Sequence, residues 1–375
     1  MTDTPGAEMD LGAALTARFP ELEDLRNAAG DASIYLVGGA VRDLLLGWPR
    51  GDIDVVVEGD AREVARELGG EIVEHERFAT ARVRLAELEI DLASARDETY
   101  AHPGALPDVS PAGIEEDLAR RDFSINAMAI RLRGAPDLID PHDGRGDLGR
   151  RLLRVLHERS FLDDPTRAVR AARYAVRFGF ELEARTAELL RDSDLGSVSG
   201  DRRRAELLKL AAEHDAASGF ELLSRWGLIE LPRASPRLIR EVAALLEHHP
   251  WSDVADRERA VLAAAMDELG RGPALAAAQP SRPSEGVELA RGASAEELAI
   301  GRALGAAWLD AYITEWRSVV LEIGGRDLIE AGVPEGPAVG RGLESALGRK
   351  LDGEISGRDQ ELAAALAAAL AAARR

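Results

Sequence analysis

Two aspartates one residue apart, Asp52 and Asp54, stand in the otherwise apolar run DIDVVVE. In a strand, side chains at i and i+2 share a face, so both carboxylates project together while Ile53 turns toward the core. Adjacent carboxylates repel, and a cation between them removes that cost. Hard oxygen ligands of this kind suit Mg²⁺, which keeps several waters and also takes phosphate oxygens. The pair therefore predicts a metal site at Asp52 and Asp54 that works on a nucleotide. A solvated strand end is the plainer reading of an isolated Asp-x-Asp, and the flanking sequence argues against it. Upstream, VGGAVRD places Gly38 and Gly39 at a strand-to-helix turn, followed by Arg42. Without side chains such a turn lets backbone N–H groups approach phosphate, and the helix start adds positive potential. Downstream, Asp91 in EIDLAS is a third acid in an apolar strand. In EEDLARRDFSINAMAI, Arg120, Arg121, Asp122 and Asn126 combine phosphate donors with groups that bond ribose hydroxyls. A charged helix start is the alternative for that stretch.

These residues need a scaffold of short strands and helices. IYLVGG and DIDVVVE read as strands, Asp60 as the cap of a helix through Leu68, and ATARVRLAE with EIDLAS as a hairpin of period two. From Ser33 to about Leu156 this is a small domain of α+β type. After Glu158 the period becomes helical and strand signals nearly vanish. Arg167, Arg170, Arg173 and Arg177 recur three, three and four apart, along one helix face. The segment Gly272 to Gly292 holds Pro273, Pro280 and Pro283 and predicts a loop between helices, with a further domain boundary there. The tail spaces Leu362, Leu366 and Leu370 four apart and ends in two arginines, the pattern of a packed terminal helix. The histidine pairs His214-Asp215 and His248-His249 read as surface residues rather than a phosphohydrolase metal site.

Composition sets the limits. With 375 residues, two or more domains are expected, and no apolar run is long enough to cross a bilayer. The N-terminus has no cationic and apolar signal pattern, so a cytoplasmic protein is expected. The absence of cysteine excludes disulfides, thiolate nucleophiles and thiolate zinc sites. A net charge of -20 argues against nucleic acid when taken alone. Between Arg145 and Arg177, however, nine arginines face four acids, a basic island. A basic groove on an acidic body reconciles the two.

GGAVRDLLLGWPRGDIDVVV, RRDFSINAMAI, LIDPHDGRGDLGRRLLRVL, SFLDDPTRAVRAARYAVRFGF and RRRAELLKL resemble, in order and spacing, the successive motifs of the class II tRNA CCA-adding and poly(A) polymerase family. The resemblance runs from about Ser33 to Pro232, and residues 324–355 look like the family's C-terminal segment. It implies a nucleotidyltransferase head with a mixed sheet (1–157), a helical neck (158–235) and a helical body and tail (236–375), elongated and all-helical beyond the head. It also implies two Mg²⁺ ions on Asp52 and Asp54, with Asp91 as a third catalytic carboxylate. ATP and CTP are the implied substrates, and the tRNA acceptor arm and 3′ end the partner. Gly38, Gly39 and Arg42 would bind the triphosphate; Arg121, Asp122 and Asn126 the ribose and phosphates. In DDPTR, Asp164 and Arg167 would read the base, although Asp164-Pro165 also fits a helix cap. Arg170 and Arg173 would border the nucleotide or RNA phosphates, with Arg203, Arg204 and Glu206 supporting that helix from its neighbour. The product (CCA, CC, the final A or poly(A)) stays open. A non-catalytic RNA-binding protein and a small-molecule nucleotidyltransferase are the competing classes.

Overall fold

The β-branched runs of the first third form strands, and the periodic runs between them form helices. The computed structural model describes residues 10–373 other than 50, 76–79 and 86–87. The opening residues and the final Arg374-Arg375 pair used above lie outside the described residues. Helices α1 (Leu11–Arg18) and α2 (Leu22–Ala28) lead into β1 (Ser33–Val37), α3 (Gly39–Leu45), β2 (Ile53–Glu58), α4 (Ala61–Leu68), β3 (Glu71–His75), β4 (Thr80–Leu85) and β5 (Leu88–Ser94). A hairpin of β6 (Arg96–Thr99) and β7 (Asp108–Pro111) follows, then α5 (Ile114–Ala119), β8 (Ala129–Arg131), β9 (Leu138–Ile139), α6 (Gly144–Arg150) and β10 (Leu152–Leu153). Asp60 caps α4 as expected, its carboxylate accepting the N–H of Arg62 at 3.0 Å.

The main sheet has the order β3-β4-β5-β2-β1-β8-β9. Its β2 and β5 run parallel and its other neighbours antiparallel, which makes the sheet mixed and the unit α+β. The parallel register sets Asp54 opposite Asp91. Strand β3 was not expected, because EIVEH offers only Ile72 and Val73 as apolar residues and Val73 is exposed. One face of the sheet packs into a core of Ile34, Leu36, Ile53, Val55, Ile90 and Leu92. The same core takes in Phe123, Phe161, Ala168, Ala171 and Tyr174.

The chain continues through α7 (Ser160–Asp163), α8 (Thr166–Phe178), β11 (Glu181–Leu182), α9 (Ala184–Leu189), α10 (Gly200–Ala211) and α11 (Ala216–Arg225). Strand β11 pairs in parallel with β10, so the segment after Glu158 is not wholly helical. Two-residue strands are too short to show a period in sequence. The chain divides into two compact units: one reaches to Glu213 and includes Leu222–Ile229, and the other comprises His214–Glu221 and the residues from Glu230 on.

The second unit is helical: α12 (Ser235–Leu245), α13 (Arg257–Ala265), α14 (Gly272–Ala277), α15 (Pro283–Ala290), α16 (Ala295–Ala303), α17 (Trp308–Thr314), α18 (Gly325–Glu330), α19 (Pro337–Leu351) and α20 (Arg358–Ala373). No division falls at 272–292. Pro273 and Pro283 open helices there, where the missing N–H costs nothing, and only 278–282 connects α14 to α15. Helices α19 and α20 pack at close range, since a Cβ on Gly342 would lie 2.6 Å from the Ala365 carbonyl oxygen. Leu362 and Leu366 join that core, while Leu370 is exposed.

Phe123 is fully buried and meets Tyr174 edge to face at 5.9 Å. Phe123→Ala is expected to cost the fold about 3–5 kcal/mol, read as a lower urea midpoint at unchanged slope.

Candidate active site

Strand β1 ends at Val37, and Gly38 turns the chain into α3 with φ +63°. A Cβ there would stand 2.8 Å from Nη1 of Arg121, so glycine is required both for the turn and for the approach of that guanidinium. Arg42, on α3, is held from several sides. Its Nη1 donates to Oδ1 of Asn126 at 2.6 Å and its Nε to Asp43 at 2.9 Å. Its plane lies over Phe178, 4.5 Å from the ring centre. Asn126 donates in turn to Oδ1 of Asp122 at 3.0 Å, and Arg170 donates to Oδ2 through Nε (2.7 Å) and Nη2 (2.6 Å). Burial alone would raise the Asp122 carboxyl; Arg170 and Asn126 outweigh it and hold the group below its ordinary range. Four expected site residues, Arg42, Asn126, Asp122 and Arg170, thus meet in one network, and with Gly38 and Gly39 they line a cleft of about 540 Å³.

Of the three expected catalytic carboxylates, Asp54 lines this cleft. Asp54 lies within β2, whereas exposed Asp52 just precedes the strand, which starts one residue later than the sequence reading placed it. Burial, opposed by Arg121 and reinforced by Asp91 and Asp52, pushes the Asp54 carboxyl up to about 6. Asp91 faces a second, smaller pocket that Asp54 and Arg121 also line. There Arg82 of β4 grips Asp91 with both Nε (2.7 Å) and Nη2 (3.0 Å), across the antiparallel pair. Among the described residues no three ligating side chains form a ready metal cage. Mg²⁺ commonly takes one or two carboxylates and completes its shell with water and phosphate oxygens. The hard donors and mutual repulsion of Asp52 and Asp54 fit that demand.

Asp164 and Arg167 line the same cleft. Oδ1 of Asp164 accepts from the N–H and the hydroxyl of Thr166, at 3.1 and 2.6 Å, and pairs with Arg202 at 3.1 Å. The capping role raised from sequence is therefore real. These bonds all fall on Oδ1, and Asp164 also lines the cleft. Arg167 is only 4% exposed. Its Nη1 donates to Ser160 at 2.6 Å and meets Nε2 of His157 at 3.3 Å; its Nη2 donates to the carbonyl of Arg120 at 2.6 Å. Burial and the Arg167 charge lower the His157 pKa, which suits a neutral ring that accepts this bond.

The arginine stripe lies on α8 as expected, but its far end is paired. Arg173 and Arg177 both bind Glu213, and Arg173 faces Glu206 at 3.7 Å. They are not free phosphate donors, because acids following α8 in sequence return to meet them. The cleft as a whole has eight arginines and five carboxylates in its lining, a basic site on an acidic chain. Several of its supports were not singled out in the sequence. Arg202, rather than Arg203 or Arg204, reaches the cleft, and Glu98, Asp117 and Glu213 hold its arginines. Only Asp117 carried a readable signal, lying three and four residues before Arg120 and Arg121. His214, His248 and His249 are exposed, as expected.

The chain resembles known proteins over most of its length. Residues 34–154 match the model of the Poly A polymerase head domain. The chain is 48% identical over 204 residues to the A-adding tRNA nucleotidyltransferase of Halalkalibacterium halodurans, covering 51% of this chain and 48% of that one. It is 36% identical over 356 residues to the CC-adding tRNA nucleotidyltransferase of Deinococcus radiodurans, covering 91% of each. The CCA-adding enzyme of Thermotoga maritima, solved in complex with tRNA-CCA, superposes with a TM-score of 0.73 at 29% identity, over 96% of this chain and 98% of that one. The chain spans less than half the length of the A-adding relatives it matches.

The raised Asp54 pKa has a direct thermodynamic reading. The folded chain keeps the Asp54 proton up to about pH 6, the unfolded chain only to about 3.8. Between these values the folded state binds more protons, so stability falls as pH rises through the window and the loss is complete above it. Asp54→Asn is therefore expected to stabilise the EDTA-treated protein by about 3 kcal/mol at pH 8, and by less at pH 5. Urea unfolding at the two pH values checks this; an equal effect at both would contradict it.

Proposed function

Because the chain belongs to the class II family of CCA-adding tRNA nucleotidyltransferases, we propose that it adds all or part of CCA to the tRNA 3′ end from CTP and ATP, releasing pyrophosphate. The observation that carries this reading is the single cleft lined by the Gly38 turn, Asp54, Asp164 and Arg167, the first two taken as its triphosphate end and the last two as its base-reading end. In this proposal residues 1–157 form the catalytic head, 158–235 the nucleotide-selecting neck and 236–375 the body and tail that hold the acceptor arm. Among the described residues no helix is long and apolar enough to span a membrane, and we place the protein in the cytoplasm.

Each part of the cleft has a task in nucleotidyl transfer. The Gly38-Gly39 turn, Arg42 and Arg121 hold the triphosphate, and Asp122 and Asn126 orient the ribose. Asp164 accepts from the exocyclic amine shared by cytosine and adenine, and the donors of Arg167 not engaged by Ser160, His157 and Arg120 reach ring nitrogens or the cytosine carbonyl. Arg170 and Arg173 set the walls between these ends. Asp52 and Asp54 would hold Mg²⁺, with Asp91 completing the carboxylate group. When bound, two such ions supply charge neutralisation of the triphosphate and a more acidic attacking hydroxyl. The RNA 3′-oxygen then bonds to the α-phosphorus as the bond to the β-phosphate oxygen breaks, and the hydroxyl proton leaves toward the carboxylates or water.

The test is incorporation of labelled CTP and ATP, singly and together with Mg²⁺, into tRNA ending at the discriminator base and into tRNA ending in CC. C, C and A on the shorter substrate identifies full CCA synthesis, A on the CC end alone an A-adding enzyme, and C alone a CC-adding one. Failure to label either tRNA would overturn the reading. Asp52→Ala with Asp54→Ala is expected to cut incorporation roughly a thousandfold or more while tRNA binding, read by gel shift, is largely kept.

A further inference from the structure

We propose that Asp117 is a positioning residue that ties the triphosphate end of the cleft to its base-reading end, so that nucleotide discrimination depends on a carboxylate touching neither substrate. The inference rests on the reading of the cleft as a CTP and ATP site. Asp117 lies on α5 with none of its surface exposed. Its two oxygens serve two different arginines. Oδ2 accepts from Arg121 through Nη2 (2.9 Å) and Nε (3.3 Å), and Oδ1 from Arg120 through Nη2 (2.6 Å) and Nε (3.1 Å).

These two arms lead to the two ends of the cleft as assigned above. With Nε and Nη2 fixed, Arg121 presents Nη1 under Gly38, and its charge is the strongest influence countering the burial of Asp54. Arg120 is fixed further by Glu98 at 2.8 Å and by the carbonyl of Arg96 at 3.0 Å. Its own carbonyl accepts the 2.6 Å bond from Nη2 of Arg167. One carboxylate therefore sets both the guanidinium that faces the phosphates and the peptide that aims the base-reading arginine. The arginines are 15% and 18% exposed in their side chains, so removing the charge between them leaves two half-desolvated cations side by side. An asparagine offers one acceptor for two forks and cannot hold both.

The experiment compares Asp117→Asn with Asp147→Asn. Asp147 is an equally buried carboxylate that holds Arg150, Arg154 and the Ser124 hydroxyl, none of which lines the cleft, so it reports what a lost internal ion pair does away from the cleft lining. Wild-type incorporation into tRNA tests the underlying reading independently of both variants. For each folded variant, kcat and KM are measured for the accepted nucleotide and for UTP. Asp117→Asn is expected to raise nucleotide KM and to lower the ratio of kcat/KM for the accepted nucleotide over UTP by about tenfold or more. Asp147→Asn is expected to lower Tm but keep the ratio. Arg120→Gln, which leaves the Arg121 arm in place, is expected to lose discrimination with a smaller rise in nucleotide KM than Asp117→Asn gives, and it decides the question if Asp117→Asn does not fold. A wild-type ratio in Asp117→Asn, or in Arg120→Gln where that variant decides, would overturn the proposal.

Discussion

A carboxylate that is 6% exposed stays charged in a folded chain only while cations and amides face it, and Asp122 meets that condition through Arg170 and Asn126. Asn126 accepts from Arg42, so the charge on Asp122 fixes a side chain of the Gly38 turn on one side and a side chain of α8 on the other. The loop before β8 and the helix that bears the arginine stripe are thereby held in register by polar bonds, over a core of Phe123 and Tyr174 that excludes water beneath them. Geometry at the cleft follows from this arrangement more than from any single strand or helix.

The same logic explains how an acidic protein keeps a basic site. Its cleft arginines do not wave into solvent; most are pinned by a carboxylate or a carbonyl before any substrate arrives. Pinning lowers the rotamer entropy lost when a phosphate or base is bound. It also leaves a small positive excess that a polyphosphate can neutralise without a large field spread over the surface.

Legibility in the sequence divides along sequence distance. The Asp52 and Asp54 spacing, the Gly38 turn, the Asp60 cap and the stripe on α8 are local patterns, and the structure places each within one residue of the expected position. The pairings that organise them are not local. Asp122 reaches Arg170 across 48 residues, Arg167 reaches the Arg120 carbonyl across 47, and Arg177 reaches Glu213 across 36. A charge run shows that partners are needed without saying which. Asp91 illustrates the limit: its place in an apolar strand was readable, yet its partner Arg82 emerges only from the hairpin register. The prolines near 280 marked the connection at 278–282 but not a domain boundary, since helix starts and linkers draw on the same residue.

All eight cations lining the cleft are arginines, and the whole chain holds lysine only at 209 and 350. Lys350 belongs to the helical second unit, and Lys209 meets the cleft lining only through Glu206. Guanidinium groups neither deprotonate at any pH a cell reaches nor accept acetyl groups on the terms that amines do. The positive charge of this cleft is therefore constant: acylating metabolites and lysine-directed modification have no side chain in its lining to neutralise. Amine-directed dyes or tethers, likewise, can be attached to the molecule with the cleft's charge intact.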